Sequence, residues 1–147
     1  MRSTSGKAPL FDAATRLSAM PAEILDPLFI RYHLALNCLR TGSTDASHVV
    51  TFAEVLIVSC ALTDLGSGNL SPEGVAAVEG ALMECHENGT LTGSWALSGE
   101  GYGVLCALLE LHENQLRAAP LHLVMKANKA LLRRQRAAPQ CAIAKAA

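Results

Sequence analysis

The amino-acid sequence predicts an all-α protein, a bundle of about five helices with short loops, on three observations. Apolar residues recur at helical spacing through most of the chain. Helix-start signals at Asp26-Pro27, Ser71-Pro72-Glu73, Ser98 and Pro120 alternate with stop signals at Gly42, Gly66 and Asn88-Gly89. Finally, one pattern occurs twice. Leu70-Ser71-Pro72-Glu73-Gly74 leads, after a spacer, to Ala81-Leu82-Met83-Glu84-Cys85-His86-Glu87-Asn88; Leu97-Ser98-Gly99-Glu100-Gly101 leads to Ala107-Leu108-Leu109-Glu110-Leu111-His112-Glu113-Asn114. The shared skeleton, L-S-x-E-G then A-L-x-E-x-H-E-N, predicts an internal repeat of two like helices over about 70–88 and 97–114, packed as neighbours.

Each element has its own signals. Residues 1–20 open as a polar, small-residue segment expected to be mobile, with a weak helical pattern from Asp12 to Met20. Asp26 as N-cap and Pro27 at the first helical position predict a helix whose apolar face is Leu28, Tyr32, Ala35, Leu36 and Leu39, ended by Gly42. A second helix is expected from Thr44 or Asp45 to Gly66. Its centre, Val49 to Leu62, is apolar almost all round, with Glu54 its one charge, as befits a central helix or one in an oligomer interface. The first repeat helix uses Ser71 as cap and Val75, Val78, Leu82 and Cys85 as seam. A connector from Thr90 to Leu97 holds the only tryptophan, Trp95, and allows a short hairpin with Leu91, Trp95 and Leu97 inward. The second repeat helix, capped by Ser98, packs through Val104, Leu105, Leu108 and Leu111. A last helix runs from Pro120 to about Arg136, with Leu121, Val124, Leu131 and Leu132 inward. Residues 137–147 read as a disordered, Ala-rich tail, which leaves 21–136 as a single helical domain.

The 147 residues suffice for one domain with a real core. Half of them are apolar and only 4% aromatic, so that core is built of Leu, Val, Ala and Ile. Apolar surface in this excess favours a homodimer. Net charge is −1, but residues 1–114 hold five basic residues against thirteen acids, whereas residues 115–147 hold seven basic residues and no acid. Five cysteines, with no C-x-x-C, give neither a disulfide framework nor a zinc pattern. Four of them lie in apolar helical patterns, where Cys acts as a small hydrophobe. The N-terminus lacks a signal-peptide core, and the run Val55-Leu56-Ile57-Val58 is far short of a membrane span. A reducing cytoplasm is the expected compartment.

Few residues point to chemistry. His86 and His112, in equivalent repeat positions beside Glu84 and Glu110, are weak metal-ligand candidates. Glu-x-His splits its two side chains by roughly 200° around a helix, whereas di-iron bundles use Glu-x-x-His on one face, so no metal or other cofactor is expected. The favoured role for both histidines is structural. The pairs Glu84/Glu87 and Glu110/Glu113 suit a solvated acidic face. Cys85 and His86 point about 100° apart on a helix and form no nucleophile–base pair. The Gly99, Gly101, Gly103 spacing is wrong for a dinucleotide loop and suits close helix approach. The clearest functional signal is the basic set Lys126, Lys129, Arg133, Arg134 and Arg136. It suits phosphate contact, a protein contact or a solvated face, and it carries no aromatic residue for base stacking.

The runs Arg31-Tyr32-His33-Leu34-Ala35-Leu36 and Leu39-Arg40-Thr41-Gly42, with Thr92-Gly93-Ser94-Trp95, Gly99-Glu100-Gly101 and Leu111-His112-Glu113, resemble a group of small uncharacterised helical proteins from proteobacteria. Some of these carry the label of Fis-type transcriptional regulator. That label implies a C-terminal helix-turn-helix with a basic recognition helix.

The sequence therefore predicts a non-enzymatic binding protein, a cytoplasmic bacterial adaptor or regulator with an unidentified protein partner. The alternative is a nucleic-acid-binding regulator that uses Lys126 to Arg136. A metal-dependent enzyme built on His86 and His112 ranks last.

Overall fold

A computed structural model describes the backbone of residues 17–146 and the side chains of residues 17–137. Five helices are described: α1 (Ala22–Thr41), α2 (Ser47–Asp64), α3 (Pro72–Thr92), α4 (Gly99–Ala118) and α5 (Leu121–Ala146). No strand occurs among the described residues. The all-α bundle expected from the sequence is what the chain forms. The expected Asp12–Met20 helix lies mostly outside the described residues. Of that segment, Ala19 bridges to Pro120, and the Ser18 carbonyl accepts from the Leu121 amide at 2.9 Å, so residues 18–20 are tied to the start of α5.

α2 sits at the centre and packs against each of the other four helices. That position accounts within one chain for its apolar character all round: Val49, Phe52, Val55, Leu56, Ser59 and Leu62 are buried. It is also the one described helix long and apolar enough to cross a membrane. α4 is the second hub and packs against α1, α2 and α3. The core has two lobes. Leu36, Leu39, Phe52, Leu82 and Leu105 belong to one; Leu25, Phe29, Leu62, Leu116 and Ala127 belong to the other.

Helix boundaries differ from expectation in instructive ways. α1 starts at Ala22, not at Pro27, which stands inside the helix. An interior proline loses one helical hydrogen bond and costs about 3 kcal/mol or more. Burial of Leu25 and Phe29, on either side of Pro27, against the second lobe offsets it. α2 starts at Ser47, after both expected caps. Asp45 nonetheless accepts from the Ser47 amide at 2.9 Å and from its hydroxyl at 2.7 Å, and these bonds hold its carboxyl below the usual range.

α3 does not stop at Asn88-Gly89. It runs to Thr92, with Gly93 in the left-handed conformation behind it. Gly89 is instead a packing site, where an added Cβ would overlap the Trp95 indole. The connector forms no hairpin of its own. Trp95 and Ser43 exchange backbone hydrogen bonds of 2.8 and 3.0 Å, which ties the α3–α4 link to the α1–α2 link. Leu91, expected inward, is 84% exposed. The α5 backbone continues past Arg136 to Ala146, through most of the expected tail. Alanine there is the strongest helix former. Leu132, also expected inward, is 43% exposed, and Ala127 is the one fully buried residue of this helix among those whose side chains are described.

Candidate functional site

The repeat helices start alike. Ser71 Oγ accepts from the Gly74 amide and Ser98 Oγ from the Gly101 amide, both at 3.0 Å. They pack as neighbours, and an added Cβ on Gly101 would lie 3.5 Å from that of Ala81, an ordinary contact. Gly99 and Gly103 have open space around them, so of the three glycines only Gly101 serves the close approach.

The two histidines diverge. His86 is exposed on α3, while His112 is 1% exposed on α4. α3 lies at the side of the bundle and buries one narrow stripe, Val78, Ala81, Leu82, Cys85 and Gly89. α4 lies between α1, α2 and α3 and buries Leu105, Leu109, His112 and Leu116 as well as Leu108. The extra burial takes in the position that is surface in α3. The structure therefore does not bring His86 and His112 together. Among the described residues, no three His, Cys, Asp or Glu side chains gather in a metal-binding group. Cys85 is buried, and burial raises its thiol pKa, whereas the adjacent His86 faces solvent.

His112 joins a buried polar seam between α2 and α4. Its Nδ1 lies 2.9 Å from Ser59 Oγ. One turn further, the Gln115 Nε2 is 3.1 Å from the Ser59 carbonyl, 3.2 Å from Thr63 Oγ1 and 2.8 Å from the Ser67 carbonyl. Gln115 thus fastens the α2–α3 loop as well, where Gly68 has φ +81° and an added Cβ would strike the Gln115 side chain. Sequence reasoning missed this seam. Its signal was present: Ser59 and Thr63 stand four apart in an apolar helix, and His112 and Gln115 three apart in another.

The protonation of His112 follows from these bonds. Burial pushes its pKa down to about 4, so it is neutral near pH 7. Ser59 is fully buried, and its hydroxyl has no other acceptor among the described residues. The hydroxyl therefore donates to Nδ1, and the neutral ring carries its hydrogen on Nε2. Sealed in this way, Ser59 is out of a substrate's reach, and among the described residues no carboxylate orients the ring as in a hydrolytic triad.

Beside His112 lies a cavity of about 330 Å³ between α1, α2, α4 and α5. Leu28, Val55, Val58 and Leu116 give it an apolar wall, and Tyr32, with its ring centroid 5.6 Å from that of His112, stands in the same wall. Burial raises the Tyr32 pKa. Arg31 and Glu54 also border the cavity, as do Met20 and Met125.

A second feature is the outer face of α5. Lys126, Lys129, Arg133, Arg134 and Arg136 are all exposed, and none makes an ion pair among the described residues. At about 100° per residue, Lys126, Lys129, Arg133 and Arg136 share an arc of roughly 80° and span roughly 15 Å. The arc lies opposite the side that carries Val124, Ala127 and Leu131. The acids behave less uniformly than expected. Glu84, Glu87 and Glu110 are exposed, but Glu113 lies 2.6 Å from His33 Nε2 and links α1 to α4.

No protein-family model, curated protein or solved structure matches this chain.

Proposed function

We propose that this is a non-enzymatic binding protein, an adaptor or regulator of a reducing cytoplasm, that engages an acidic protein surface through the outer face of α5. The observation that carries the reading is the stripe Lys126, Lys129, Arg133 and Arg136, exposed, without ion-pair partners among the described residues and turned away from the packed side of the helix. Long cationic side chains held in register on a rigid helix match a partner's carboxylates and speed its approach. The helix they stand on is anchored by Ala127 and Leu131, so the face is presented at a fixed place. The four described cysteines are free thiols, which suits a reducing compartment. Self-association is part of the proposal. Ile30 and Leu34, one turn apart on α1, are 61% and 62% exposed.

The nucleic-acid reading stands second, because the same stripe also suits a phosphate backbone. The test compares wild type with K129E/R133E. A partner protein captured by the wild type and lost in the variant, with weak binding of duplex DNA at low and high salt, upholds the proposal. Sub-micromolar, salt-steep DNA binding that the variant loses transfers the face to nucleic acid. Equal behaviour of both proteins in both assays refutes a binding role for α5.

A further inference from the structure

We infer that the cavity between α1, α2, α4 and α5 is a binding site for a small neutral molecule, with a compact apolar body and one carbonyl group that accepts a hydrogen bond from His112 Nε2. The inference is independent of the basic face, which lies on the far side of α5.

Three observations carry it. The first is size and lining. About 330 Å³ falls within the range of small-molecule pockets. An apolar cavity of roughly half that size accommodates benzene. The walls carry aliphatic side chains from all four helices, while Met20 and Met125, soft and adaptable, suit an aromatic or branched body.

The second is a polar handle. His112 lines the cavity, Ser59 occupies its Nδ1, and Nε2 has no partner among the described residues. Nor is Nε2 sealed from solvent. The fully enclosed side-chain nitrogens and oxygens without partners are Trp95 Nε1 and Gln115 Oε1, and Nε2 is not one of them. It therefore opens on the cavity as a donor. A donor so placed selects a ligand with an acceptor, because an apolar ligand would displace its water and leave it unpaired.

The third is charge. Arg31 and Glu54 both border the cavity, and Glu54 also accepts from Gln135 Nε2 at 3.0 Å. One cation and one anion leave no net charge to hold an ionic ligand, and the ring beneath them is neutral.

The test uses the full-length protein and three probes of closely similar size: acetophenone, which is neutral with a carbonyl; isopropylbenzene, which lacks the acceptor; and benzoate, which is anionic. Binding is followed by NMR through the imidazole signals of His112. Acetophenone is expected to bind saturably at one site, roughly fivefold to tenfold tighter than isopropylbenzene, the usual worth of one hydrogen bond. That preference is expected to vanish in His112→Phe, and Val58→Phe, which fills the cavity, is expected to abolish binding of both. The wild-type protein decides alone if His112→Phe fails to fold. No saturable acetophenone binding overturns the site. Equal affinity for acetophenone and isopropylbenzene overturns the role of Nε2. Tightest binding of benzoate overturns the neutral class.

Discussion

Helices α3 and α4 carry the same motif, yet its histidine faces solvent in one and is buried in the other. Their N-termini are alike to within a tenth of an ångström in the capping bond, because a cap depends on residues three positions apart and on little else. Their middles differ because burial depends on what surrounds the helix. α3 has neighbours on one side, and α4 is enclosed by α1, α2 and α3. Gly89 and Gln115, in equivalent places, make the same point: one makes room for an indole, and the other fastens a loop. A repeat in sequence is therefore a repeat of local structure, and not of environment.

The largest effect that would break this comparison lies at the histidines. His112→Ala is expected to cost about 3 kcal/mol, since it opens a cavity and strips Ser59 of its partner. His86→Ala is expected to stay within about 0.5 kcal/mol, as exposed sites do. Urea denaturation of both variants measures the difference, and equal costs would contradict the assignment of one as core and the other as surface.

Acid sharpens it next. His112 has a folded pKa of about 4, below the ordinary value of 6.5, so the unfolded chain binds its proton first. Its contribution is fully present above pH 6.5 and is lost as pH falls toward 4, on the order of 3 kcal/mol across the window. His112→Gln is expected to remove that part of the pH dependence, which chemical denaturation at a series of pH values would record.

Glycines within α3 give a smaller, two-signed test. Gly89→Ala drives a Cβ into Trp95 and is expected to destabilise by about 2 kcal/mol. Gly80 has open space where a Cβ would stand, so Gly80→Ala is expected to stabilise by about 0.5 to 1 kcal/mol. Thermal melts decide both signs. Smallest in contrast are the caps. Ser71→Ala and Ser98→Ala are each expected to cost about 1 kcal/mol. A cost at only one of them would show that the two starts are not equivalent.

Much of the fold was legible because it rests on local chemistry. Ser71-Pro72-Glu73, Ser98 and the Gly66 stop act within a few residues, and the structure uses each of them. The misread boundaries share one cause. Pro27 looked like a helix start and Gly89 like a helix end on local grounds, and tertiary packing, of Leu25 and Phe29 in one case and Trp95 in the other, overrode both. The candidate site was less legible. The outward face of α5 follows from periodicity, so Lys126, Lys129, Arg133, Arg134 and Arg136 stand exposed as expected. The cavity and the Ser59–His112–Gln115 seam depend on which helix lies beside which, and no spacing within one helix states that. Equivalent positions in the two repeats made His86 and His112 weak metal-ligand candidates, but neighbouring helices here turn different faces to each other, and one histidine is exposed while the other is buried.

One measurement bears most directly on the account: the pH titration of His112 followed by imidazole NMR, with His112→Gln to assign its signals. A neutral ring with its hydrogen on Nε2 near pH 7, and a midpoint near pH 4, are expected. A midpoint near the ordinary value of 6.5, or a neutral ring with its hydrogen on Nδ1, would contradict the account.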